Sequence, residues 1–159
     1  MKKYELTAEF IEKLGKKLFR IKALISFGSV EAGELGGYVE KEDNLAQDGD
    51  AWVCGDARVY GDARVCGDAW VYGNADYLLI GRIGSRFSFT TFFKNKDKGI
   101  TVSCGCFLGT IAEFRAKVTG KHGNNKHAKM YNLAADMAEL QILGEEHFDK
   151  LNTNKSEPV

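Results

Sequence analysis

The residues best suited to chemistry lie in the second half of the chain. Gly81-Arg82-Ile83-Gly84-Ser85-Arg86 combines a flexible backbone, a hydroxyl and two guanidinium forks. That set suits a phosphate or carboxylate, because arginine offers paired donors in a planar array. Thr90 and Thr91 add hydroxyls close by. The turn Gly105-Cys106-Phe107-Leu108-Gly109-Thr110 leads towards a helix start, and the first amides of a helix attract anions. Further on, His122, Asn124 and Lys126 supply polar groups. The expected ligand-binding set is therefore Arg82, Ser85, Arg86, Thr90, Thr91, Gly105, Cys106, Thr110, His122 and Asn124, lining one pocket.

No complete catalytic signature accompanies these residues. Gly120-Lys121 lacks the upstream glycine and the following Ser or Thr of a Walker motif, and neither G-x-S-x-G nor H-E-x-x-H occurs. A thiol nucleophile from Cys104 or Cys106 working with His122 is conceivable, but no spacing demands it. The expectation is a binding protein, not an enzyme, with no cofactor. No metal site is expected either: Cys104 and Cys106 form Cys-x-Cys rather than the usual zinc spacing, and all four cysteines read as reduced thiols.

Charge points the same way. The formal net charge is zero, but residues 31–76 carry 11 acidic and 3 basic side chains, whereas residues 78–130 carry 2 acidic and 10 basic. An acidic segment is thus followed by one of net charge +8, whose field favours an anionic ligand or partner.

The acidic segment is a repeat. From Gly49 the chain reads Gly-Asp-Ala-x-Val-x, and glycine recurs at positions 49, 55, 61, 67 and 73. Ala51, Ala57, Ala63, Ala69 and Ala75 hold a second phase, and Val53, Val59, Val65 and Val71 a third. Ala-x-Val alternation suits a strand, and Gly with Asp suits a tight corner. A short fixed period predicts stacked units that bury their apolar faces against one another. The small-inward phase extends back through Leu45 to Val39, giving seven hexads.

This pattern resembles the hexapeptide-repeat family, which implies a left-handed parallel β-helix with residues 18 apart in stack. Trp52 would lie under Trp70 and Arg58 under Asp76, both pairs pointing outward. The four aromatics Trp52, Trp70, Tyr60 and Tyr72 then form an exposed surface, and the expectation is a homo-oligomer built on them, a trimer before a dimer.

Four segments are expected. Residues 1–37 are an N-terminal cap, with Thr7 capping a helix through Phe10, Ile11 and Leu14, followed by a strand over Leu18–Leu24. Residues 38–77 are the β-helix. Residues 78–143 are a basic α+β module: a hairpin over residues 87–104, then two helices, the first opened by the Thr110–Glu113 capping box. Residues 144–159 are a polar tail, disordered from Asn152. No apolar run approaches the ~20 residues of a membrane span, and the N-terminus does not read as a signal peptide. A cytoplasmic protein is expected.

Taken together, Tyr4-Glu5-Leu6-Thr7, the Leu18–Leu24 strand, Leu35-Gly36-Gly37-Tyr38-Val39-Glu40, the hexads, Gly84-Ser85-Arg86, Thr90-Thr91-Phe92-Phe93, Gly105-Cys106-Phe107, Gly109-Thr110 and His122-Gly123-Asn124 look like small hexapeptide-repeat proteins of bacteriophages and prophages. The resemblance spans roughly residues 4–142. It implies an accessory gene and names no chemistry. By analogy with small phage proteins that act against host immunity, and from the basic module and its loops, the expectation is a protein in the cytoplasm of an infected bacterium that sequesters an anionic ligand, a nucleotide immune messenger. Two alternatives stand beside it. One is a direct inhibitor of a host defence protein, with Asp50, Asp56, Asp62 and Asp68 as a nucleic-acid-mimicking surface. The other is a hexapeptide-repeat acyltransferase, disfavoured because His122, His127 and His147 lie outside the repeat.

Overall fold

The first long element is a strand, β1 (Tyr4–Lys13), where the apolar spacing predicts a helix. Its partner is β2 (Lys16–Ala23), in antiparallel register from Tyr4 opposite Ala23 to Lys13 opposite Lys16. The two-residue connection has Leu14 at φ 51° and Gly15 at φ 76°. Two positive φ values make the turn that matches strand twist, so Gly15 closes a hairpin. Thr7 caps nothing: its hydroxyl donates to the Arg20 carbonyl across the hairpin at 2.9 Å. The computed structural model describes residues 1–155.

The chain then enters β3 (Leu35–Val39) and three two-residue strands: β4 (Trp52–Val53), β5 (Arg58–Val59) and β6 (Trp70–Val71). After these come β7 (Tyr77–Ile83), β8 (Ser88–Lys94), β9 (Ile100–Cys104) and β10 (Phe107–Thr110). The helices are α1 (Ile111–His122), α2 (Lys126–Ala138), a π-helical turn over Glu139–Leu143, and α3 (Glu145–Lys155).

The expected left-handed parallel β-helix is not the architecture. Two four-stranded sheets dominate, ordered β1-β2-β3-β5 and β10-β9-β8-β7. The second is antiparallel throughout, and in the first only β3–β5 is parallel. In the hexad segment, parallel pairing is confined to β3–β5, β4–β6 and a Leu45–Val65 bridge. The physical reason is economy of extension: most of each hexad is corner, so at most two residues per hexad remain extended. The long ladders form where the flanking sequence supplies longer runs.

Within the hexad segment (the coil), Trp52 pairs with Trp70 and Val53 with Val71, 18 residues apart. Earlier pairs are 20 apart, however: Val39 with Val59 and Leu45 with Val65. The phase therefore slips by two residues between Leu45 and Val53. The surplus segment is where the N-terminal hairpin docks. The Gln47 side-chain oxygen accepts from the Lys3 and Tyr4 amides at 2.8 and 3.3 Å. The buried Lys3 ammonium donates to the Ala51, Gly49 and Asp48 carbonyls at 2.8, 3.3 and 3.4 Å. Arg58 pairs with Tyr38 instead of Asp76, whose carboxylate accepts from the Tyr72 and Gly73 amides. Ala75 is exposed, so the inward phase stops at Val71.

Two cores result. The first holds the buried alanines and valines of the coil with Tyr4, Ile21 and Trp52. The second lies between the β7–β10 sheet and α1 and α2, around Phe92, Phe114 and Tyr131. Strand β8 serves both, because successive side chains face opposite ways: Phe93 enters the first core and Phe92 the second. The expected polar tail is helical, α3 reaching Lys155, and residues 156–159 lie outside the described residues. Among the described residues, no helix is long and apolar enough to cross a membrane.

Candidate functional site

Helix α1 begins as its sequence dictates. The Thr110 hydroxyl accepts from the Glu113 amide at 3.2 Å, and the Glu113 carboxylate accepts from the Thr110 amide at 3.4 Å. This reciprocal cap fixes the helix phase, which turns Phe114 and Val118 onto the sheet. Lys117, Lys121 and His122 then follow beside that face, since residues three and four apart are neighbours on a helix.

Opposite them, the Cys104-Gly105-Cys106 turn between β9 and β10 and the Ser85–Ser88 segment before β8 complete a cleft of about 160 Å³. Phe107, Phe114 and Tyr131 supply aromatic walls. Phe114 meets Tyr131 edge-on at 5.6 Å, and His122 stacks on Tyr131 at 5.9 Å with 28° between planes. Lys117 holds its ammonium 5.4 Å above the Phe107 ring. Gly84 is required by close approach: a Cβ there would overlap the Tyr131 hydroxyl, and its φ of 81° already favours glycine.

The electrostatics of the cleft are one-sided. Arg86, Lys117, Lys121 and His122 line it, and among the described residues no carboxylate does. The one arginine of α1, Arg115, is withdrawn from this field. Arg115 donates to Asp136 at 2.7 Å, to Glu139 at 3.2 Å and to the Asn132 side chain at 3.1 Å, which ties α1 to α2. Beneath the cleft, the fully buried Thr90 hydroxyl donates to Cys104 Sγ at 3.2 Å. Burial pushes the Tyr131 phenol above its ordinary range, and the neighbouring Cys104 thiol adds to the effect against the opposing Arg86 charge. Tyr131 therefore enters the cleft as a neutral hydroxyl.

Five of the ten residues expected from sequence meet here: Ser85, Arg86, Gly105, Cys106 and His122. The others do not. Arg82 lies within β7 and is exposed, with its guanidinium 5.9 Å from the Phe89 ring centre. Thr90 sits under the cleft. Thr91 points to the coil side, where its hydroxyl oxygen receives the Arg64 amide at 3.5 Å. Thr110 is spent on the helix cap, and Asn124 is exposed in the turn between helices. Sequence reasoning missed Lys117, Lys121 and Tyr131. Helical spacing from Phe114 carries the signal for both lysines, but nothing local marks Tyr131, which arrives from α2.

The expected oligomer surface is also redistributed. Trp52 is buried within its own chain, edge-on to Phe27 at 5.4 Å and to Tyr4 at 6.4 Å, so it offers no surface to a partner. Trp70 and Tyr60 are half-buried, and only Tyr72 is strongly exposed. No protein-family model matches this chain, and no curated protein matches its sequence.

Proposed function

We propose that the cleft binds a small phosphorylated ligand and holds it without turnover. One observation carries this reading: Arg86, Lys117, Lys121 and His122 surround aromatic walls, with no carboxylate among the described lining residues. A charge-assisted bond from arginine or lysine to phosphate contributes roughly 1.5–3 kcal/mol. At about 160 Å³ the cleft is smaller than typical small-molecule pockets of roughly 300–1,000 Å³, so it takes the phosphorylated end and leaves the remainder at the mouth. In keeping with the resemblance to phage accessory proteins, the ligand class proposed is a nucleotide messenger of host defence, sequestered in the bacterial cytoplasm. The test is calorimetry with a panel of linear and cyclic nucleotides, followed by chromatography of the recovered ligand. Binding that weakens about 10–100-fold in Arg86→Ala supports the reading. No heat from any compound, or recovery of a converted product, contradicts it.

Self-association belongs to the same proposal, through α2 and not the coil aromatics. Leu133 and Met137, four residues apart on one face of α2, are 65% and 54% exposed, and Leu140 in the π-helical turn that follows is 44% exposed. Exposed Lys126 and Lys129 lie at one end of that face, and exposed Glu145 and Glu146 lie past the other. An antiparallel pairing with a second copy about a two-fold axis would bring these opposite charges together at each end. Light scattering should show a dimer that Leu133→Glu dissociates; a monomeric parent removes this part.

A further inference from the structure

A second groove lies on the other side of the β7–β10 sheet, between the coil and the β8–β9 turn. It encloses about 570 Å³ and shares no lining residue with the cationic cleft. One wall is aromatic: Trp70 and Tyr72 stand 6.0 Å apart with 32° between planes, and Tyr72 is 63% exposed. The facing wall is the lysine-rich turn. Asn95 builds that turn, its side-chain oxygen accepting from the Asp97 and Gly99 amides at 3.1 and 2.9 Å. Lys94 is engaged with Asp76 at 3.9 Å. Lys96 and Lys98 have no carboxylate within ion-pair distance among the described residues, and both line the groove. Ser29 and Asp50 also line the groove.

We propose that this groove is a binding site for a nucleoside phosphate, with the base on Tyr72 and Trp70, the ribose hydroxyls on Asp50, and the phosphate on Lys96 and Lys98. Each part of the ligand meets the chemistry that suits it. Aromatic rings hold a base by stacking without demanding one base. A carboxylate accepts from ribose hydroxyls, as it does in dinucleotide-binding folds. Lysines neutralise phosphate as point charges. The volume falls within the roughly 300–1,000 Å³ of small-ligand sites and fits one nucleotide. Asp50 also disfavours a bare anion, so the groove selects a ligand that is aromatic at one end and phosphorylated at the other.

The two tryptophans make the test direct. Trp70 lines the groove, whereas Trp52 is buried under the N-terminal hairpin, so their indole N–H resonances report separately. Titration of isotope-labelled protein with ADP should shift the Trp70 resonance to saturation and leave that of Trp52 in place. Adenosine and inorganic phosphate should each bind at least about tenfold more weakly than ADP, because each lacks one of the two contacts. Tyr72→Ala and the double variant Lys96→Glu/Lys98→Glu should each weaken ADP by about tenfold or more. Arg86→Ala/Lys121→Ala, in the separate cleft, should leave the Trp70 response intact, so the two sites fail independently. A Trp70 resonance unmoved by millimolar ADP overturns the proposal. So does a shift that survives Tyr72→Ala, or one that inorganic phosphate reproduces at equal affinity.

Discussion

The two cores are packed differently. The first is packed from small, repeated residues: Ala51, Ala57, Ala63 and Ala69 alternate with Val53, Val59, Val65 and Val71, all buried. Its interior polar groups are consumed by main-chain carbonyls. Lys3 serves three, and the buried Asn44 amide donates to Gly61 and Ala63 at 3.1 and 2.8 Å. Burial also pushes its Cys54 thiol up to about 11 and raises Cys66, which keeps both protonated. The second core sets Phe92, Phe114 and Tyr131 edge-on among aliphatic side chains and the alanines of α2, and a cleft opens between helix and turn. The repeat buries its alanines and valines up to Val71 on one inner face despite the two-residue slip in pairing. The non-repeating module tolerates irregular packing, and the cationic cleft sits there.

The largest test of that contrast is Trp52→Ala. Removing a buried aromatic costs about 3–5 kcal/mol, and Trp52 joins the coil to the N-terminal hairpin through Tyr4 and Phe27. Chemical denaturation should show a loss of that size. Next comes Ala63→Leu, since overpacking a tight interior costs about 1–3 kcal/mol and Ala63 is buried. The same change at exposed Ala75 should leave the melting temperature close to the parent's, although both alanines occupy one sequence phase. Equal effects at the two positions would break the assigned inward face. Smaller still is Thr110→Ala in the second region, where loss of a helix cap costs about 0.5–2 kcal/mol.

Lys3 sharpens the comparison through pH. Burial lowers it from 10.5 to about 8, against the opposing charges of Asp48 and Asp50. The folded pKa is depressed, so the unfolded chain binds more protons between those values. This group's contribution to stability therefore improves as pH rises from about 8 towards 10.5. The raised Cys54, Cys66 and Tyr4 pull the other way, because the folded chain keeps protons there that the unfolded chain releases. Subtracting a Lys3→Met series from the parent isolates the lysine: the difference should favour the parent progressively more between pH 8 and pH 10.

What the sequence made legible follows from locality. The capping box at Thr110 and Glu113, the hairpin of β8 and β9, and the parallel pairing of Trp52 with Trp70 each depend on short spacing, and each is present. The N-terminal strand was hidden because Phe10, Ile11 and Leu14 fit a helical face, and only the pairing with β2 decides otherwise. The two-residue phase slip was hidden because Leu45 fits either the small or the aliphatic phase. Half of the expected set, Ser85, Arg86, Gly105, Cys106 and His122, reaches the cleft. The remainder was not legible, because Tyr131 comes from a separate helix and Thr91 was turned away by strand alternation. Trp52 misled for a similar reason: it points out of the coil, but the hairpin covers it.

The most direct test of the cationic cleft is mass spectrometry of small molecules released by heat from the protein as purified from a bacterial cytoplasm. The account predicts a phosphorylated compound from the parent, lost or strongly depleted in Arg86→Ala and Lys121→Ala, with melting temperatures close to the parent's. Release of no such compound from the parent, or of the same amount from both variants, would contradict it.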